Sequence, residues 1–120
     1  IDSINFVAFR LAHANFDATQ FHQELIKSSG EYIVPYEIEQ VIGTHPAVFE
    51  VAVIGIPDKS RGEVPKAFVS LKEGTDSSPD EIQALCRKEL ARFKVPREIE
   101  IRGQLPHGPT GKVLKRLLKE

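Results

Sequence analysis

Residues 48–72, VFEVAVIGIPDKSRGEVPKAFVSLK, decide how the rest of the chain is read. Val48 to Ile56 is rich in β-branched side chains, which suit a pleated, half-buried surface, and reads as a strand. Pro57-Asp58 turns the chain. Val64 to Lys72 reads as a second strand with Ala67, Val69 and Leu71 on one face. Pro65 has no N–H to offer a ladder, which puts the start of the strand proper at Lys66 or Ala67. Glu73 to Ser77 is a loop. Two neighbouring strands with an apolar face need a cover, so the flanking sequence must supply helices.

Downstream, Ser78 is placed to cap a helix, Pro79 to occupy its first position and Glu81 to complete a capping box. Ile82, Leu85, Cys86, Leu90 and Phe93 follow at helical spacing, and Pro96 stops the helix. Glu98 to Arg102, EIEIR, alternates as a strand does. Gly103 to Gly111 is a loop, and a last amphipathic helix is expected up to Glu120 with Val113, Leu114, Leu117 and Leu118 inward. Upstream, Leu25–Lys27 and Tyr32–Val34 read as short strands joined by Ser28-Ser29-Gly30-Glu31, with Gly30 supplying a positive φ. Pro35 opens a helix with Ile38, Val41 and Ile42 on one face, and Gly43 with His45-Pro46 ends it. The expected fold class is α+β: a small three-stranded sheet with flanking helices, plus a two-stranded hairpin. Within residues 1–22, Phe6, Val7, Phe9 and Leu11 are readable as a strand, whereas Phe16 and Phe21 fit no clear period.

At 120 residues the chain is long enough for one compact domain, but short for an enzyme that must also enclose a substrate. Its apolar fraction of 41% and charged fraction of 28% argue against disorder. A net charge of -1 excludes a global polycation that would grip nucleic acid or an anionic membrane. No apolar run approaches the ~20 residues of a membrane helix, and the opening residues lack the pattern expected of a secretory leader. Cys86 is the only cysteine, so an internal disulfide or cysteine-rich zinc site is excluded and a cytoplasmic location is expected. A start at Ile1 without any Met is not the start expected of a natural chain. The neutrality hides an asymmetry: between Arg87 and Lys119 ten bases face three acids. Such an end suits a polyanionic small molecule or an acidic partner, although charge runs also serve solubility alone.

Lys112 is the sharpest candidate for chemistry. It closes Leu105-Pro106-His107-Gly108-Pro109-Thr110-Gly111-Lys112, at the expected start of the last helix. A cation there opposes the helix dipole, and a bound phosphate or carboxylate would offset that cost. The alternative is an ordinary surface lysine. The loop is not a nucleotide-binding P-loop, because Gly108 and Gly111 are too close together and Val113 stands where a magnesium-binding hydroxyl is needed. His13, His22, His45 and His107 have no metal-ligand spacing, so no metal site is expected.

Three segments in fixed order resemble the small C-terminal domain of adenylate-forming enzymes: acyl- and aryl-CoA synthetases, peptide-synthetase adenylation domains and luciferases. They are Leu25 to Glu39; His45-Pro46-Ala47-Val48 with Val53 to Asp58 and Gly62 to Pro65; and Phe93-Lys94-Val95-Pro96 with Leu105-Pro106 and Thr110-Gly111-Lys112. The hairpin and the Phe-Lys-Val-Pro segment look closest to acyl-CoA ligases. The resemblance implies residues 23–120 as a lid domain behind an atypical segment 1–22, and a large N-terminal domain that binds ATP and a carboxylic acid. It implies that Lys112, after Gly111, bridges the acid and the α-phosphate while the acyl-adenylate forms. It implies that Ser28, Ser29, Gly30 and Glu31 line the pantetheine tunnel in a second pose. Phe93, Lys94 and Arg97 would meet the nucleotide end of CoA, with Phe93 equally readable as core and Arg61 a weaker candidate. ATP and CoA would be substrates of the complete enzyme, with none held tightly by this domain.

The chain departs from the pattern upstream, where Gln20, Phe21 and Gln23 stand in place of an expected Gly-Arg and a hinge residue. Three functions follow as expectations. The first is a working lid of an acyl-CoA ligase of the fatty-acid type, inactive alone. The second is a non-catalytic module binding CoA, a carrier protein or another protein, and the third an inert remnant. An apolar patch uncovered by a missing domain would also favour self-association.

Overall fold

The computed structural model describes residues 25–119; the unusual segment 1–22 and the departures at Gln20, Phe21 and Gln23 lie outside them. Five strands and two helices are present among these residues: β1 (Ile26–Ser28), β2 (Glu31–Ile33), α1 (Pro35–Gly43), β3 (Val48–Asp58), β4 (Gly62–Leu71), α2 (Pro79–Glu89) and β5 (Glu98–Arg102). Short 3-10 turns occupy Arg92–Lys94 and Lys115–Leu118. The class is α+β, as expected.

β4 is the centre of the sheet. Along one side it pairs antiparallel with β3, from Gly62↔Asp58 to Leu71↔Val48. Along the other it meets β1 at Ser28↔Gly62 and then β5 in parallel, from Lys66↔Glu98 to Ser70↔Arg102. The hairpin β1–β2 is thus joined to the three-stranded sheet through a single bridging pair. β4 begins at Gly62, ahead of the expected Lys66 or Ala67. Pro65 is tolerated because the amide N and the carbonyl of a strand residue face the same side. On that side Pro65 lies in the gap between β1 and β5, and only its carbonyl is used, accepting from Arg97 N at 2.9 Å.

Both faces of the sheet are covered. On one, Val53, Ala67 and Val69 pack against Ile38, Val41 and Ile42 of α1 and Ile82 and Cys86 of α2. α2 is started by Ser78, whose hydroxyl accepts from Glu81 N at 3.2 Å. The Glu81 carboxylate turns instead to His45 and Ser77, so the capping box is only half made. α2 ends at Glu89, earlier than the apolar spacing implies: Leu90 is extended, and Pro96 holds Val95 extended as well. Phe93 therefore sits on a 3-10 turn. On the second face Ala52, Ile54 and Phe68 meet Leu105 and Leu118 from the C-terminal segment.

That segment is not the expected amphipathic helix. Leu114 N donates to Pro106 O at 2.8 Å and Val113 bridges to His107, so the backbone groups that would nucleate a helix are already paired. Only one 3-10 turn follows. Leu118 is buried, whereas Leu117, expected inward, is 48% exposed.

Candidate functional site

The β1–β2 hairpin is closed by Ser29 (φ 51) and Gly30 (φ 81), the paired positive φ values of a tight two-residue turn. Nothing lies within 4 Å of a Cβ built on Gly30, so the glycine is required by conformation and not by crowding. Ser29 N donates to Arg61 O at 2.8 Å and ties the hairpin to the β3–β4 turn. That turn is held by Asp58, whose carboxylate accepts from Arg61 N at 2.9 Å and Ser60 N at 3.1 Å and pairs with Arg97 at 3.2 Å. The Arg61 N–H foremost, with Ser60 N–H and Arg97 behind it, holds the Asp58 carboxyl below the usual carboxylate range.

Beside the hairpin, Ser28, Ser29, Glu31, Arg61, Arg92 and Phe93 line a recess. Arg61 and Arg92 also line the adjoining groove, together with Arg87, Arg97, Gln83 and Pro96. Four guanidinium groups thus border one concave surface next to the glycine turn, an arrangement suited to phosphate recognition. Phe93 packs against the helix-side core, as its core reading expects, and also borders the recess. Lys94 lies apart from this groove, paired with Glu37 of α1 at 2.9 Å. Arg87 and Arg92 were visible in the sequence only as members of a basic run. Their convergence depends on α2 ending early and the chain turning back beside β1.

On the opposite face of the sheet, the loop 107–113 carries Lys112. Gly108 N donates to Lys112 O at 2.8 Å and Gly111 N to Gly108 O at 3.0 Å, which closes the loop on itself. Gly111 has φ +85, a value that L side chains rarely adopt. Lys112 is exposed and, among the described residues, makes no ion pair. The helix dipole plays no part, since no helix begins there. The loop is anchored at His107, whose Nε2 meets both Glu50 carboxylate oxygens at 2.8 Å. Among the described residues no group of His, Cys, Asp and Glu is arranged to hold a metal, and no helix is long and apolar enough to cross a membrane.

Comparison with known proteins gives this geometry its context. The family model of the AMP-binding enzyme C-terminal domain matches residues 37–112. The chain is 42% identical over 99 residues to acetyl-coenzyme A synthetase of Bacillus subtilis, covering 80% of this chain and 17% of that protein. It is 42% identical over 98 residues to the long-chain-fatty-acid–CoA ligase of the same organism, covering 82% of this chain and 18% of the relative. Apo MatB from Rhodopseudomonas palustris superposes with a TM-score of 0.77 at 33% identity, over 81% of this chain and 19% of that one. The fatty acyl CoA synthetase of Mycobacterium tuberculosis does so at 0.74 and 41%, again over 81% and 19%. The chain spans less than a fifth of the length of these relatives. With the family match covering most of the chain, it belongs to the AMP-binding enzyme C-terminal domain family of the acyl-CoA synthetases and ligases.

Proposed function

We propose that this chain is the C-terminal lid of an AMP-forming acyl-CoA ligase, contributing Lys112 to acyl-adenylate formation and the Ser28–Glu31 hairpin to the passage for the CoA thiol arm. The observation that carries the reading is the exposed ammonium of Lys112, presented by a glycine-led loop with no acidic partner among the described residues. A compact cation held where negative charge gathers on an α-phosphate stabilises the transition state more than the ground state. The lysine loop and the arginine-lined groove lie on opposite faces of the sheet. A domain docked against one face leaves the other turned away from it, which favours two poses used in turn. In the second pose the four arginines suit the phosphates of CoA, with Phe93 beside them for its adenine.

In this reading the pockets for ATP and the acid belong to a large N-terminal domain outside these 120 residues. The 120 residues alone should give no ATP–pyrophosphate exchange. Adding the N-terminal portion of a related ligase should restore it, and Lys112→Ala should abolish the rescue. Exchange by the chain alone, or rescue undiminished by Lys112→Ala, would sink the proposal.

The groove also favours a second reading, a module that binds CoA by itself, because Arg61, Arg87, Arg92 and Arg97 all come from this chain. Calorimetric titration with CoA separates the two. Tight binding by the lone chain, weakened by Arg97→Ala and by Arg92→Ala, supports the module; no measurable heat supports the lid.

A further inference from the structure

Lys112 is carried by a segment without regular structure, yet that segment is fastened at both feet. At the first, His107 Nε2 reaches both oxygens of Glu50 on β3 at 2.8 Å, with each side chain 27% exposed. At the second, Lys115 Nζ meets Glu39 of α1 at 2.8 Å, with exposures of 20% and 15%. The same Glu39 oxygen accepts from Val53 N at 2.9 Å, so one carboxylate joins α1, the edge strand β3 and the C-terminal segment. Between the feet, the His107↔Val113 bridge and the Gly108–Lys112 hydrogen bond shape the loop. A Cβ on Gly108 would come within 3.0 Å of Leu114 Cδ2, so the first foot is also closely packed.

An ammonium acting as a point charge is only as useful as its placement, and an error of ~1 Å can cost about 100-fold in rate. Both contacts are partly shielded from solvent, where a hydrogen-bonded or charged pair is screened less than a fully exposed one. Neither pair touches the concave arginine surface. We infer that His107, through Glu50, and Lys115, through Glu39, are positioning residues that fix the loop presenting Lys112. The inference rests on the adenylation role of Lys112 proposed above.

The test uses the full chain joined to the Bacillus subtilis long-chain-fatty-acid–CoA ligase in place of that enzyme's matching segment. Two half-reactions are measured: ATP–pyrophosphate exchange with a long-chain fatty acid, and thioester formation from preformed acyl-adenylate and CoA. His107→Ala is expected to slow exchange by about 10- to 100-fold and to leave thioester formation within about 2-fold. His107→Arg keeps a donor for Glu50 and should recover most of the exchange. Glu39→Gln keeps an acceptor for Val53 N but loses the charge facing Lys115, and should slow exchange alone by a smaller factor. Equal losses in both half-reactions would mean a merely structural role and overturn the inference. So would wild-type exchange in His107→Ala while Lys112→Ala abolishes it. If Lys112→Ala itself leaves exchange intact, the adenylation reading fails, and the positioning role with it.

Discussion

The two faces of the sheet are built on different principles. On the first, α1 and α2 lay regular apolar stripes across β3 and β4, and Ile33, Ile38, Ile42, Val53, Ala67, Val69, Ile82 and Cys86 are essentially inaccessible. On the second, five buried residues, Ala52, Ile54, Phe68, Leu105 and Leu118, form the core under a segment that holds its shape by long-range contacts. The first face is a core that happens to border a groove. The second is a strap that covers its side of the sheet without regular helix. Regular helices bury area efficiently but fix side chains into stripes. A strap can place one residue at an arbitrary point, provided that specific pairs replace the missing helical hydrogen bonds.

The largest effects should come from deleting the centre of each face. Phe68→Ala removes the ring against which Leu105 and Leu118 pack, along with the cations Lys66 and Arg102, each 4.7 Å from its centroid. About 3–5 kcal/mol of unfolding free energy should be lost, as for other buried phenylalanines. Ile38→Ala, on the helix face, should cost about 2–5 kcal/mol. Urea denaturation measures both. If the faces are one cooperative unit, each variant shifts the midpoint without changing the slope. A Phe68→Ala chain that unfolds in two steps would show the strap to be a separately melting unit.

These differences decide what could be read from the sequence. The helix face was legible because its signals are local: proline at the first helical position, Ser78 before Pro79, apolar residues three and four apart. The strap reads falsely as a helix because Val113, Leu114, Leu117 and Leu118 mimic helical spacing, while the contacts that forbid a helix come from Pro106 and His107. Its two clamps span 57 residues from Glu50 to His107 and 76 from Glu39 to Lys115, separations over which periodicity says nothing. Within the candidate site, the glycine turn is legible from loop chemistry, whereas Lys112 stands out only through the family resemblance, because the helix start that singled it out is not formed. The arginine groove is not legible, because Arg61 and Arg92 are brought together only by the early end of α2.

Cys86 sharpens the comparison at intermediate scale. Its side chain is buried against the helix-face core, and burial pushes the thiol from an ordinary 9.0 to about 12. The folded state therefore favours the neutral thiol. The stability tied to it is whole below about pH 9 and is lost progressively as pH rises toward about 12. At neutral pH a thiol reagent should modify the folded chain only through opening of the helix face. Ile38→Ala should speed labelling strongly. Phe68→Ala should speed it only as far as it lowers global stability, and a larger increase would mean that damage to the strap opens the other face directly.

The smallest expected effect is on the residue with the largest proposed role. Lys112 is exposed, its loop is closed by backbone hydrogen bonds, and among the described residues its side chain forms no ion pair. Lys112→Ala should therefore move the unfolding free energy by no more than about 0.5 kcal/mol in either direction. Lys115→Ala, three residues on, removes the partner of a carboxylate only 15% exposed and should cost measurably more. The contrast separates a side chain kept for what it offers a partner from one kept for what it does to the loop. A Lys112→Ala chain as destabilised as Lys115→Ala would place the ammonium in the fold itself, and its exposed presentation would lose its meaning.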